Sequence, residues 1–150
     1  DFLQQLEEVL YTTGINPNAL KLEITESVLI ENQKAFYKTY SAIRNMGLHL
    51  QIDDFGTGYS SLKYLQHIPA DTIKIDKSFV QEMEENEKNI NLIRAMINMA
   101  KSMEMEIVAE GVETQAQLEI LKELKCDFVQ GYLFYKPLPS TDLETIFLTT

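Results

Sequence analysis

The 150-residue sequence has one cysteine and two histidines. Cys126 has no second thiol to pair with and no histidine near it in sequence, so it reads as a small buried hydrophobe rather than a nucleophile. His49 and His67 are too few for a histidine-rich zinc site, and any metal here must be held mainly by oxygen. Basic residues are scarce too: 13 Lys and Arg against 23 Asp and Glu give a net charge of -10. Without clustered Lys and Arg, no binding to DNA or RNA is expected. A phosphate-ester substrate would need bound divalent cations to offset the repulsion. No apolar run approaches the roughly 20 residues of a membrane span, and no basic segment precedes an apolar stretch at the start. The expectation is a cytoplasmic segment without membrane contact, in a parent protein that could still be membrane-anchored. No Gly-, Ser- or Pro-rich linker and no low-complexity tract divides the chain. With 45% hydrophobic residues, it suits one domain with its own core.

What is present alternates between two periods. Phe2, Leu3, Leu6, Val9 and Leu10 recur at helical spacing, with Gly14 placed to end the helix. Leu20 to Ile24 alternates as a strand does. Asn32 can cap a helix with Ala35, Phe36, Tyr40, Ile43 and Met46 as its buried stripe and Gly47 at its close. Leu48 to Ile52 is the next strand, followed by a glycine-bearing turn and a short helix around Ser60 to Gln66. Thr72 to Ile75 is a third strand, Asn89 to Met103 a helix, and Glu106 to Ala109 a fourth strand. Thr114 and Gln117 form a capping box for a helix burying Leu118, Leu121 and Leu124, and Asp127 to Val129 is a short fifth strand. The acidic stretch Glu82 to Glu87 reads as a solvated loop or helix start. Such alternation predicts an α/β fold with a parallel sheet covered on both faces.

Polar residues recur at the strand ends: Glu23 and Glu26, Asp53 and Asp54, Lys74, Glu110 and Glu113, and Gln130. In a parallel sheet the C-terminal ends share one edge, so these positions converge. Adjacent carboxylates at Asp53 and Asp54 repel unless a cation lies between them, and a two-metal site suits displacement at phosphorus. Alternatively, one aspartate caps the turn and the other faces solvent. Gly56 and Gly58 allow a tight turn or the close approach of a ligand. Lys74 can hold a reacting water or a phosphate oxygen, or lie on the surface. Glu110 is a candidate general base or a structural partner of Lys74. Tyr59, Tyr64 and the run Tyr132 to Tyr135 read as core and rim packing rather than base-stacking platforms.

The runs Leu22-Glu23-Ile24-Thr25-Glu26-Ser27, Asp53 to Ser61, Lys74-Ile75-Asp76, Glu110-Gly111-Val112-Glu113 and Gln130-Gly131-Tyr132 stand in the order seen in EAL-domain cyclic-di-GMP phosphodiesterases, which the chain resembles along its length. The resemblance implies an incomplete (β/α)8 TIM-type barrel with about five parallel strands and flanking helices. It implies hydrolysis of the bacterial second messenger cyclic di-GMP to linear pGpG with Mg2+ or Mn2+, two ions in the complete domain. Glu23, Asp53 and Asp54 would be metal ligands, with Asp53 bridging. Lys74 would contact the attacking water, and Glu110 would sit at the centre as ligand or base. Glu113 and Gln130 would complete the site, and Glu26 would hold the loop containing Gly56 and Gly58.

The Glu-Ala-Leu signature and a further metal-binding Asn are absent, and a full barrel needs about 250 residues. The expectation is therefore that residues 1–150 are the C-terminal part of a single EAL-type domain, attached in the parent protein to a sensory or GGDEF-type domain. A homodimer or self-association is expected, because an opened barrel leaves two sheet edges. The alternatives are a non-catalytic cyclic-di-GMP receptor module and an unrelated metal-dependent barrel enzyme such as a lyase.

Overall fold

The structure is a computed structural model and describes residues 1–26, 28, 33–58, 65, 68 and 70–148. Helix α1 (Phe2–Thr13) ends at Gly14, whose φ of 64° is free of side-chain strain and lets its N–H donate to the Leu10 carbonyl. A 3₁₀ turn at Pro17–Ala19 then leads into β1 (Lys21–Thr25). There follow α2 (Gln33–Asn45), β2 (His49–Phe55), β3 (Thr72–Ile75), α3 (Lys77–Glu82) and α4 (Glu87–Ser102). The chain closes with β4 (Glu106–Glu110), α5 (Gln115–Glu123), β5 (Phe128–Gln130) and α6 (Ser140–Leu148).

The five strands form one parallel sheet in chain order, β1 to β5. Residues two apart on a strand share a face. On one face Ile52, Ile73, Ile75, Ile107 and Ala109 pack with Val80 of α3, Ile93, Ile97 and Ala100 of α4, and Leu121 of α5. The other face carries Lys21, Glu23, Gln51, Asp53, Thr72, Lys74, Glu106 and Glu110, aligned by the pairs Glu23↔Gln51, Gln51↔Thr72 and Thr72↔Glu106. The expected covering of both faces is therefore corrected. In β1, β2 and β4 burial alternates and leaves this polar face partly open, since charged side chains cannot be desolvated beneath helices without partners.

The polar face is concave. Lys21 Nζ of β1 meets Glu106 Oε2 of β4 at 2.8 Å and donates to Thr72 Oγ1 of β3 at 2.9 Å. A flat sheet would set β1 and β4 about 14 Å apart, three strand spacings. Rolling the sheet toward this face brings the two side chains together, which is the curvature of a barrel wall.

Several boundaries differ from the sequence reading. Strand β2 continues to Phe55 through a register shift, where two aspartates stand opposite Lys74. Helix α3 was not anticipated, because six residues are too few to show a helical period. Its signal is Asp76, whose carboxylate accepts the Ser78 N–H as an N-cap. The acidic stretch divides between helices: Glu82 ends α3, and Glu87 opens α4 behind the Asn86 cap. The capping box of Thr114 and Gln117 is present. Helix α6 was also missed, and the stripe of α1 is not buried. The Asn32 cap and the helix around Ser60 to Gln66, Leu65 apart, lie outside the described residues.

At the N-terminal edge of the sheet, Asp71 accepts the Leu50 N–H at 2.9 Å and contacts from Arg44 at 2.9 and 3.0 Å, and its Oδ1 lies 3.2 Å from His49 Nδ1. Burial alone would raise its pKa, but the Leu50 N–H, His49 and Arg44 outweigh that and hold it below the ordinary aspartate value. A depressed folded-state pKa adds stability above the unfolded value and loses it on acidification. Asp71→Ala is expected to cost about 1–3 kcal/mol at neutral pH. In denaturant titrations of the full-length protein, the gap from wild type should begin to close below about pH 4.

Candidate functional site

Lys74 lies at the centre of the polar face with a side chain only 8% exposed. Its Nζ is 2.7 Å from Glu110 Oε1, 2.9 Å from Asp53 Oδ1 and 3.0 Å from Glu23 Oε1. Three carboxylates from β4, β2 and β1 thus meet one ammonium on β3. Burial by itself would lower the lysine pKa, but pairing with Glu110, Asp53 and Glu23 overrides it and raises the value well above the ordinary one. Lys74 remains a cation and serves as a donor and fixed charge, not as a base.

Asp53 and Asp54 lie within β2 rather than after it, and Glu23 is at the middle of β1 rather than its end. A strand would normally point Asp53 and Asp54 to opposite faces. Here the register shift between Ile52 and Phe55 and a left-handed Asp54, φ 54°, re-aim them. As a result, one carboxylate oxygen each from Asp53, Asp54 and Glu110 lies within 4.8 Å of the others. With Glu23, the cluster holds four carboxylates and one ammonium, a formal excess of three negative charges. The buried Asp53 Oδ1 is close to Nζ, yet the alignment is not that of a hydrogen bond, and the oxygen accepts none among the described residues. An oxygen-only donor set, a formal charge excess and a buried oxygen met only by the Lys74 ammonium among the described residues together fit a hard divalent cation.

The loop after β2 is anchored by Glu26, which is buried and accepts the N–H groups of Gly56 at 3.0 Å and Gly58 at 3.3 Å. At Gly58 a Cβ would come 2.9 Å from Glu26 Oε1, and at Gly56 it would strike Met96 and Phe79 with φ at 100°. Gly58 needs glycine because its backbone lies against the Glu26 carboxylate, and Gly56 because its φ and the packing of Met96 and Phe79 leave no room for a side chain.

Glu113 and Gln130 stand apart from the Lys74 cluster. With Glu110, Lys77, Gln81 and Tyr132 they border a cavity of about 230 Å3. Glu113 Oε1 accepts from Gln81 Nε2 at 3.4 Å, and its N–H donates to Gln117 Oε1 at 2.7 Å. Sequence reasoning missed Gln51, whose amide donates to Glu23 Oε1. Its signal was the two-residue spacing from Asp53. Tyr132, Phe134 and Tyr135 are 57%, 46% and 61% exposed, which corrects the reading of that run as core and rim packing. They follow β5, an edge strand that pairs with β4 alone among the described strands. Tyr59 and Tyr64 lie outside the described residues. Cys126 is largely buried, and desolvation pushes its thiol up to about 11, as an unreactive cysteine requires.

The EAL domain model matches residues 1–137. The chain belongs to the EAL-domain family. It is 41% identical over 142 residues to the cyclic di-GMP phosphodiesterase NbdA of Pseudomonas aeruginosa, a match covering 95% of this chain and 18% of NbdA. It is similar to the solved structure of the PaMucR phosphodiesterase in complex with c-di-GMP, at 37% identity and a TM-score of 0.90 over 94% of this chain and 57% of that one. It also resembles Klebsiella pneumoniae BlrP1 in a manganese and cy-diGMP complex, at 31% identity and a TM-score of 0.84 over 90% of this chain and 34% of that one. The chain spans about a fifth of the length of the curated relatives it matches. No helix among the described residues is long and apolar enough to cross a membrane.

Lys74→Met would leave Glu23, Asp53 and Glu110 facing one another with no counter-charge. In the full-length EAL protein kept free of divalent cations, a loss of about 3–5 kcal/mol is expected in urea unfolding. Added Mn2+ should narrow the gap from wild type, because cations then screen the carboxylates.

Proposed function

We propose that this chain is the C-terminal part of one EAL domain whose parent protein hydrolyses cyclic di-GMP to linear pGpG. The observation that carries the reading is the convergence of Glu23, Asp53 and Glu110 from three strands on the single ammonium of Lys74, with Asp54 beside Asp53 and Glu110. The named activity of NbdA and the ligand of the PaMucR complex support the substrate. The manganese in the BlrP1 complex supports the metal.

Glu23, Asp53 and Asp54 would hold two Mg2+ or Mn2+ ions, with Glu110 beside them. Bound there, such ions would make water a better nucleophile at neutral pH and offset the phosphate charge. The residues themselves divide the remaining work. Lys74 would donate to the attacking water or a phosphate oxygen from a position fixed by its carboxylate neighbours. Glu110 is at the centre as ligand or base. Glu113 and Gln130, which border the adjoining cavity with Glu110, would complete the site through water and hydrogen bonds. Glu26 keeps the backbone of residues 53–58 close to the carboxylates. A sensory or GGDEF-type partner domain in the parent protein and a cytoplasmic location complete the reading.

The full-length protein is expected to release linear dinucleotide from cyclic di-GMP, as followed by chromatography, with Mn2+ or Mg2+ and not with EDTA. Asp53→Asn should lower the rate at least about a hundredfold, because losing a ligand costs more than losing a group that orients one. Binding of cyclic di-GMP without turnover at any metal concentration would favour a receptor and overturn the reading. Residues 1–150 alone should turn over poorly, lacking the Glu of the Glu-Ala-Leu signature and the further Asn.

The same 150 residues are expected to self-associate, since β1 and β5 each pair with only one described strand and Phe128 on β5 is exposed. Light scattering should give a mass above 17.3 kDa that rises with concentration. A monomer with cooperative thermal unfolding would contradict it.

A further inference from the structure

We propose that Gln51 is a positioning residue that fixes the Glu23 carboxylate for cation binding, an inference that rests on the reading of Glu23 as a metal ligand. Glu23 is about half exposed, with a side-chain exposure of 48%, and a free glutamate on a strand has several rotamers available. Two donors hold it here. Lys74 Nζ donates to Oε1 at 3.0 Å, and Gln51 Nε2 donates to the same oxygen at 2.5 Å. Both bonds fall on Oε1, and Oε2 accepts none among the described residues. The carboxylate is therefore clamped on one oxygen and offers the other.

Placement of the donor follows from the sheet. Glu23 and Gln51 are direct partners in the β1–β2 register, so their side chains rise side by side from the concave face. Gln51 also precedes Asp53 by two residues and shares its face. One residue thus stands beside one proposed ligand and next below another. The amide is also neutral. Lys74 must answer to three carboxylates, and a cation entering the cluster would compete with it for them. Gln51 contributes no charge, so it can go on holding Oε1 when positive charge arrives. Lys74 sets the electrostatics of the cluster, while Gln51 sets the direction of Glu23.

The experiment is Mn2+ binding to the full-length protein, read as loss of the free-Mn2+ electron paramagnetic resonance signal, with metal-free thermal unfolding and turnover measured alongside. Gln51→Met keeps length and removes the donor. It is expected to weaken Mn2+ binding by about 10- to 100-fold, the usual effect of losing a group that orients a ligand. The Mn2+ concentration for half-maximal turnover should rise in parallel, with a much smaller fall in the rate at saturating Mn2+. Metal-free Tm should stay close to wild type, which a purely structural role for Gln51 would not allow. Gln51→Asn withdraws the amide by one methylene and should give the same loss, which provides a second measurement if the methionine variant folds poorly. Glu23→Ala separates the two levels of inference. Weakened binding in Glu23→Ala but wild-type Mn2+ affinity in Gln51→Met and Gln51→Asn would overturn the role of Gln51 alone. Wild-type Mn2+ affinity in Glu23→Ala would overturn the ligand reading and the inference with it.

Discussion

One buried ammonium organises this molecule. Lys74 sits on the middle strand of five, nearly removed from solvent, and an unpaired charge there would be prohibitively costly. Glu23, Asp53 and Glu110 supply its partners from three other strands, so the pairing works only if β1, β2 and β4 hold their positions relative to β3. The dependence is mutual. Without Lys74 the carboxylates would repel one another, and without the carboxylates the lysine would be driven toward its neutral form. Curvature follows from the same constraint: Glu23 lies two strands away from Lys74 and reaches it because the sheet rolls toward its polar face. The ion pair of Lys21 with Glu106, nearer the N-terminal edge, spans the same concavity.

Charge balance in this cluster is incomplete by design of the backbone. The register shift in β2 brings Asp54 alongside Asp53 when a regular strand would have sent it to the opposite face. This local distortion creates the excess of negative charge and leaves a buried oxygen without a hydrogen bond. Glu26 then holds the loop beyond through the N–H groups of Gly56 and Gly58. The distorted segment is thus supported from both sides, by packing of Phe55 in the core and by the Glu26 carboxylate.

Legibility in the sequence varied with the range of the signal. Strand and helix periods were readable where burial is one-sided and the segment long, as in α4 and β2. Short or weakly periodic elements escaped, such as α3, whose evidence was only the Asp76 cap, and α6, in which no residue is buried. The order of polar residues along the strands was readable as well, although Glu23 and Asp53 lie within their strands instead of at the ends. Exposure of Tyr132, Phe134 and Tyr135 was not, because an aromatic run reads as core until the sheet edge beside it is known.

By itself the sequence determined which chemistry was available: abundant carboxylates, one well-placed lysine, too few histidines or cysteines for soft metal sites, and an alternation of strands and helices that makes a parallel sheet. These are properties of residue type and local period. Only the tertiary structure decided that Lys74 is a shared counter-ion rather than a surface charge, that Asp53 and Asp54 point to one cluster, and that Gln51 clamps Glu23. Each of these depends on contacts between strands. Their distances are fixed by register, bulge and sheet curvature, quantities to which no single stretch of sequence has access.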